Sequence, residues 1–199
     1  MSYAIIGTGK AGQALAKAFA RKGVEVAIAS RRSTEVLAPV AKAIGPTIIH
    51  KSLHDAVKAD VIILAIPFGT QKEVAKAAES WQGKIVIDMT NAYGVSPEEL
   101  GNLPSSIVIS QAFPGAKLVK TFNQLAAEVL AEDPNVKGGR RVVFLSSDDE
   151  GAAAQVATLV EQLGFAPVLL GKLAEGGLLI QARGKTWAQL IFQDFVKFK

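Results

Sequence analysis

The 199-residue sequence predicts an α/β fold: a doubly wound, mostly parallel sheet with helices on both faces and a small carboxyl-terminal lobe. Short runs rich in Val and Ile alternate with longer Ala-rich stretches of helical period, beginning at residue 3. A cluster of three glycines follows the first apolar run directly, where a strand must turn into a helix.

Strands are expected at Tyr3 to Ile6, Val24 to Ala29, Thr47 to His50, Val61 to Ala65 and Lys84 to Asp88, then at Lys117 to Thr121, Arg141 to Ser146 and Pro167 to Leu170. Between them the period of apolar residues predicts helices at Lys10 to Lys22, Thr34 to Ala43, Leu53 to Ala59, Thr70 to Ala78, Gln124 to Ala131 and Glu150 to Leu163. Gly23, Gly45 and Gly164 each close a helical stretch ahead of a strand, the place for a left-handed helix stop. Asn91 to Pro104, with its Gly, Ser, Pro and Asn, reads as loop.

The length suits one well-buried core with appended elements. Residues 1–170 are expected to form the main domain and 171–199 a small lobe. In that lobe Gly171 to Gly184 is glycine-rich and irregular, and Trp187, Leu190, Ile191, Phe195 and Val196 form one apolar stripe over a final helix. Such a stripe serves core packing or a homodimer contact.

Composition narrows the classes of function. The longest apolar run, Val61 to Ile66, falls far short of the roughly 20 residues that span a bilayer, so no membrane partner is expected. The amino terminus lacks the cationic start of a signal peptide and reads as a first strand. The absence of cysteine removes disulfides, thiolate metal sites and thiol nucleophiles, and agrees with a cytoplasmic location. A net charge of +4 suits anionic ligands, but the basic residues are dispersed, which argues against a nucleic-acid face.

The sequence Gly7-Thr8-Gly9-Lys10-Ala11-Gly12 ends the first strand and opens the first helix. In that context each glycine has its own steric reason. Gly7 makes the tight turn, Gly9 lets the backbone approach a pyrophosphate, and Gly12 lets helix and strand pack closely. The helix amides near Lys10 and Ala11 add unpaired donors and a partial positive charge, and the Thr8 hydroxyl is placed to join them. These residues form the candidate phosphate site of a Rossmann-type dinucleotide fold.

Members of that fold that prefer NAD carry a carboxylate at the end of the second strand for the ribose 2′-hydroxyl. Here the place reads Ser30-Arg31-Arg32, a hydroxyl and two guanidinium groups suited to a 2′-phosphate, which favours NADP over NAD. The plainer alternative for the arginines is a solvated loop end. Ile66, Pro67 and Phe68, after the fourth strand, form an apolar wall where the nicotinamide half would pass. Asn91, beyond the fifth strand, is a candidate for the carboxamide or the acceptor, whereas Asp88 suits a turn cap better than catalysis.

No metal-binding pattern and no nucleophile motif is present, and the only histidines, His50 and His54, fall in the adenine half. No catalytic side chain is assigned on these grounds. Alcohol or hydroxy-acid dehydrogenation would need a positioned acid or base. Hydride exchange between two stacked rings asks mainly for positioning, which fits this inventory better.

Taken together, Ile6-Gly7-Thr8-Gly9, Ser30-Arg31-Arg32, Ala65-Ile66-Pro67, Asp88-Met89-Thr90-Asn91 and Val119-Lys120-Thr121-Phe122-Asn123 resemble the coenzyme F420-dependent NADP oxidoreductase family over nearly the whole chain. The resemblance implies NADP(H) as cofactor, with coenzyme F420 or a flavin as a small-molecule electron acceptor lying against the nicotinamide. It also implies that Asn91 and Asn123 border the cleft. Two other readings stay open: a non-catalytic sensor of the NADPH/NADP ratio, and an imine or hydroxy-acid reductase similar to pyrroline-carboxylate reductase.

Overall fold

The structure, a computed structural model, describes residues 1–182 together with Leu190 and Phe192. The expected apolar stripe of the last helix, Leu190 apart, lies outside the described residues.

The chain begins β1 (Tyr3–Ile6), α1 (Lys10–Arg21), β2 (Val26–Ala29), α2 (Thr34–Ile44), β3 (Ile48–His50), α3 (Leu53–Ala56), β4 (Val61–Leu64), α4 (Gln71–Ala75) and β5 (Ile85–Asp88). It continues α5 (Ser105–Ser110), β6 (Lys117–Thr121), α6 (Ala127–Ala131), the hairpin β7 (Asn135–Val136) and β8 (Gly139–Arg140), β9 (Val142–Ser147), α7 (Glu150–Gln162), β10 (Ala166–Leu169) and α8 (Gly176–Ile180). Eight strands make one sheet in the order β10-β9-β6-β5-β4-β1-β2-β3. The six strands from β3 to β6 run parallel, β9 lies antiparallel to β6, and β10 is parallel to β9. This is the mostly parallel Rossmann-type sheet that the alternating pattern predicted.

The β-branched strands build two cores because successive side chains leave opposite faces. In register across the sheet, Ile5, Ile28, Ile63, Ile87 and Val119 feed the core under α1 and α7. Ala4, Ala27, Ile62, Val86 and Leu118 feed the core on the other face. Burial of each Ile or Leu stabilises by roughly 1.5–3 kcal/mol, so both faces hold the sheet rigid behind whatever its edge binds.

The helices α3, α4 and α6 are shorter than their periodicity suggests, and for α4 and α6 the reason is visible. The chain after α4 is released where Trp81 Nε1 donates to the Ala75 carbonyl at 2.9 Å, satisfying an end carbonyl from outside the helix. The start of α6 is delayed because Gln124 is drawn into β9: Phe144 N donates to its Oε1 at 2.7 Å, and its Nε2 donates to the Val142 carbonyl at 3.3 Å. The helix α5, Ser-Ser-Ile-Val-Ile-Ser, follows the loop and has no strong helix former; burial of Ser105, Ser106 and Ile109 overrides that propensity. Gly23 and Gly164 stop their helices at φ 66° and 94°, as expected, whereas Gly45 does so nearly extended, at φ 158° and ψ 169°.

Candidate functional site

The carboxyl ends of β1, β2 and β4 meet at one place. The Gly7 amide donates to the Ala29 carbonyl at 2.8 Å, and the Ala65 amide donates to the Ile6 carbonyl at 2.9 Å. The glycine turn therefore stands one residue from Ser30 and beside the Ile66-Pro67 segment. Strand order reverses between β1 and β4, the point at which an open α/β sheet leaves a crevice.

That crevice is a cleft of about 360 Å³. Of the residues singled out in the sequence, Gly7, Thr8, Gly9, Ser30, Arg31, Arg32, Ile66 and Pro67 all line it. Leu53, Thr70, Glu73 and Val74 line it as well and had no signal of their own in the sequence. The rule that could have found them is topological: the segments following β3 and β4 must flank a crevice at the β1/β4 reversal.

The three glycines differ in why they are glycines. Gly7 has φ 115°, and a β-carbon there would collide with the Ala65 carbonyl. One on Gly12 would overlap the Gly7 carbonyl, so both are required by the protein's own packing. Gly9 is different. Its φ of −72° suits any residue, and a β-carbon would meet nothing within 4 Å. Neither conformation nor packing explains a glycine there; in folds of this kind the second glycine of such a turn is where the backbone approaches a diphosphate.

The amino end of α1 fits the same ligand. It has no side-chain cap and no acidic residue in its first turn, leaving amide donors and the positive end of the helix dipole toward the cleft. Gln13 Nε2 donates to the Thr8 carbonyl at 2.8 Å and braces the turn from behind. The side chain of Lys10 instead lines a separate groove between α1 and α6, so Lys10 and Ala11 face the turn through backbone.

At the end of β2 the two arginines are not equivalent. Arg31 Nη1 lies 3.2 Å from Glu73 Oε2, while Arg32 makes no ion pair among the described residues; its amide donates to Ser30 Oγ at 3.1 Å. On the far side, Phe68 turns half-buried toward the core, and Ile66 and Pro67 alone of that trio line the cleft.

Asn91 and Asn123 meet each other across the ends of β5 and β6. Asn91 Nδ2 donates to the Asn123 carbonyl at 2.9 Å, and Asn123 Nδ2 donates to Asn91 Oδ1 at 3.0 Å and to the Ile180 carbonyl at 2.7 Å. The pair thus ties the sheet edge to α8. Neither residue lines the cleft beside Gly7.

Behind that pair, Asp88 is fully buried. Its Oδ1 accepts from Thr90 N at 2.8 Å and Thr90 Oγ1 at 2.7 Å, the turn-capping geometry expected for it. Its Oδ2 receives Lys120 Nζ at 3.0 Å, an ion pair fully buried on both sides. Lys120, a register neighbour of Asp88, gave no hint of this in the sequence because the strand pairing of β5 with β6 is not legible there.

A crevice at a strand-order reversal, with a glycine turn on one wall and paired arginines on the next, has the architecture of a Rossmann-type dinucleotide-binding domain. A family model described as coenzyme F420-dependent NADP oxidoreductase matches residues 2–92. The solved structure of a candidate F420-dependent NADP-reductase from Arthrobacter sp. FB24 is 30% identical, with a TM-score of 0.71, over 87% of this chain and 86% of that one. The chain belongs to the coenzyme F420-dependent NADP oxidoreductase family.

A hypothetical protein from Sinorhizobium meliloti is similar over 98% of this chain and 96% of its own, at 40% identity and a TM-score of 0.92. Metalloreductase STEAP2 of Mus musculus is 28% identical over 176 residues, which are 87% of this chain and 34% of that protein. The chain spans about a third of the length of the curated relatives it matches. Among the described residues no helix is long and apolar enough to cross a membrane. A reductive aminase from Aspergillus terreus, solved with NADPH, shares the fold at 17% identity, with a TM-score of 0.63 over 89% of this chain and 57% of its own.

Proposed function

We propose that this chain transfers a hydride between NADP(H) and a small-molecule acceptor of the flavin or deazaflavin type, coenzyme F420 included. The observation that carries the cofactor half is Gly9: a glycine that the protein does not need, in a cleft shared with Ser30, Arg31 and Arg32. The bound nicotinamide would supply the hydride chemistry. The chain's own residues bind and orient. Gly7 and Gly9, with the amides of Lys10 and Ala11 and the Thr8 hydroxyl, hold the diphosphate, while Gly12 lets α1 lie close enough to β1 to aim those amides. Ser30, Arg31 and Arg32 take the 2′-phosphate through charge-assisted bonds.

Ile66 and Pro67 exclude water from one side of the path toward the ring, with Phe68 setting their loop against the core. Asn91 and Asn123, locked together and to the Ile180 carbonyl, border the acceptor's end of the site. No group of this chain is asked to move a proton, which agrees with a reaction between two rings.

The reading is tested by steady-state NADPH oxidation with deazaflavin, flavin mononucleotide and quinone acceptors, alongside direct binding of NADPH. Turnover with a deazaflavin or flavin is the expected result. Background rates with every acceptor, in a protein that binds NADPH tightly, would remove the acceptor half and leave a binding protein.

A further inference from the structure

The end of β2 lacks the carboxylate that selects an unphosphorylated ribose in this fold. The structure brings one to the same cleft from 42 residues further along the chain: Glu73, on α4, faces Arg31 at 3.2 Å. Both side chains remain largely exposed, 75% for Arg31 and 55% for Glu73. An ion pair so open to water adds little to the stability of the fold. Its position, on the wall of the cleft that also holds Ser30 and Arg32, gives it another role.

Resting on the cofactor assignment above, we propose that Glu73 is a specificity-determining residue that admits NADH to a site otherwise built for NADPH. Two effects act in the same direction. Toward NADPH, Glu73 is a resident rival: the fork of Arg31 that would grip the 2′-phosphate is already turned to a carboxylate, and must be released before it binds. Arg32, without such a partner, receives the phosphate first. Toward NADH, the Glu73 carboxylate accepts the ribose 2′-hydroxyl, the contact made elsewhere in this fold by an acid at the end of β2. The Arg31–Glu73 pair therefore opens for one dinucleotide and stays closed beside the other.

The test is a comparison of NADPH and NADH dissociation constants, by fluorescence titration at one fixed low ionic strength, for the wild-type chain, Glu73→Ala and Glu73→Gln. Glu73 is exposed, so neither variant removes core packing. Alanine should tighten NADPH and weaken NADH, widening the ratio of the two constants by about tenfold, the scale of exchanging one charge-assisted bond for another. Glutamine frees Arg31 yet keeps a neutral acceptor, so it should retain the NADPH gain and lose less for NADH. A ratio that is unchanged or narrowed in Glu73→Ala overturns the role of Glu73. The cofactor assignment fails in a different way: Arg32→Ala would leave the NADPH/NADH ratio of the wild-type chain untouched, or neither nucleotide would bind.

Discussion

Gly12 stands directly over Gly7, so close that a β-carbon on Gly12 would overlap the Gly7 carbonyl oxygen. Helix α1 can approach β1 this closely only because residue 12 has no side chain. Gly9, between them, is under no such constraint. On the proposed reading, the three glycines separate packing from ligand binding. Gly12→Ala should destabilise the chain by about 1–3 kcal/mol or more, because backbone rather than a flexible side chain is in the way. Gly9→Ala should leave stability within about 1 kcal/mol, since only a helix-cap preference changes. It should nonetheless weaken NADPH binding at least as severely as Gly12→Ala. Thermal unfolding and calorimetric titration of both variants read this out, and unimpaired NADPH binding by Gly9→Ala would count against the diphosphate assignment.

The paired arginines lead to a second prediction. Replacing Arg31 and Arg32 together by Ala should weaken NADPH binding by roughly 2 to 4 kcal/mol and leave NADH nearly unchanged. Singly, Arg32→Ala should cost more than Arg31→Ala, because Arg31 must first give up Glu73 while Arg32 has no ion-pair partner among the described residues. Equal losses for NADPH and NADH in the double variant would show that the pair is not reading the 2′-phosphate.

Much of this site is legible in the sequence because it is local. A strand, three spaced glycines and a helix follow one another within Tyr3 to Arg21, and the hydroxyl and guanidinium groups come directly after β2. Topology then brings the two together with little further freedom, through the Gly7 to Ala29 hydrogen bond. What stays hidden depends on distant pairing. Glu73 reaches Arg31 only after β4 has been placed beside β1, and Lys120 meets Asp88 only in the register of β6 on β5. The shortened start of α6 is of the same kind: nothing in Gln124 itself says that it will bridge to Val142 and Phe144 in β9.

The Asp88–Lys120 pair should behave as a buried charge network, not as a surface bridge. Lys120→Met leaves the Asp88 carboxylate uncompensated at zero exposure, and should cost about 3–5 kcal/mol in denaturant unfolding. Adding Asp88→Asn should recover part of that loss. The asparagine keeps an oxygen for the Thr90 amide and hydroxyl while removing the stranded charge. A Lys120→Met variant as stable as the wild-type chain would contradict the buried pairing.

Acid sensitivity should come from carboxylates that hold the loops at the sheet's ends. Asp55 lies in the first turn of α3, which Ser52 caps, and its carboxylate accepts from Lys58 Nζ and the Ser52 hydroxyl: the hydrogen bond from Lys58, then that from Ser52, lowers its pKa from 3.8 to about 2. The Ser2 amide lowers Asp60, the Asn135 amide lowers Asp133, and the Ala152 amide at the head of α7 lowers Asp149. A carboxyl group whose pKa drops on folding favours the folded chain at pH values above its unfolded pKa. For Asp55 that contribution is complete above about pH 4 and disappears as the pH falls toward about 2. Stability should accordingly decline with acidification over that window, Asp55→Asn should flatten its share of the decline, and carboxyl resonances followed by NMR should place Asp55 below Asp residues in unfolded peptides. A titration of Asp55 at its ordinary value would mean that neither Lys58 nor Ser52 holds it in solution.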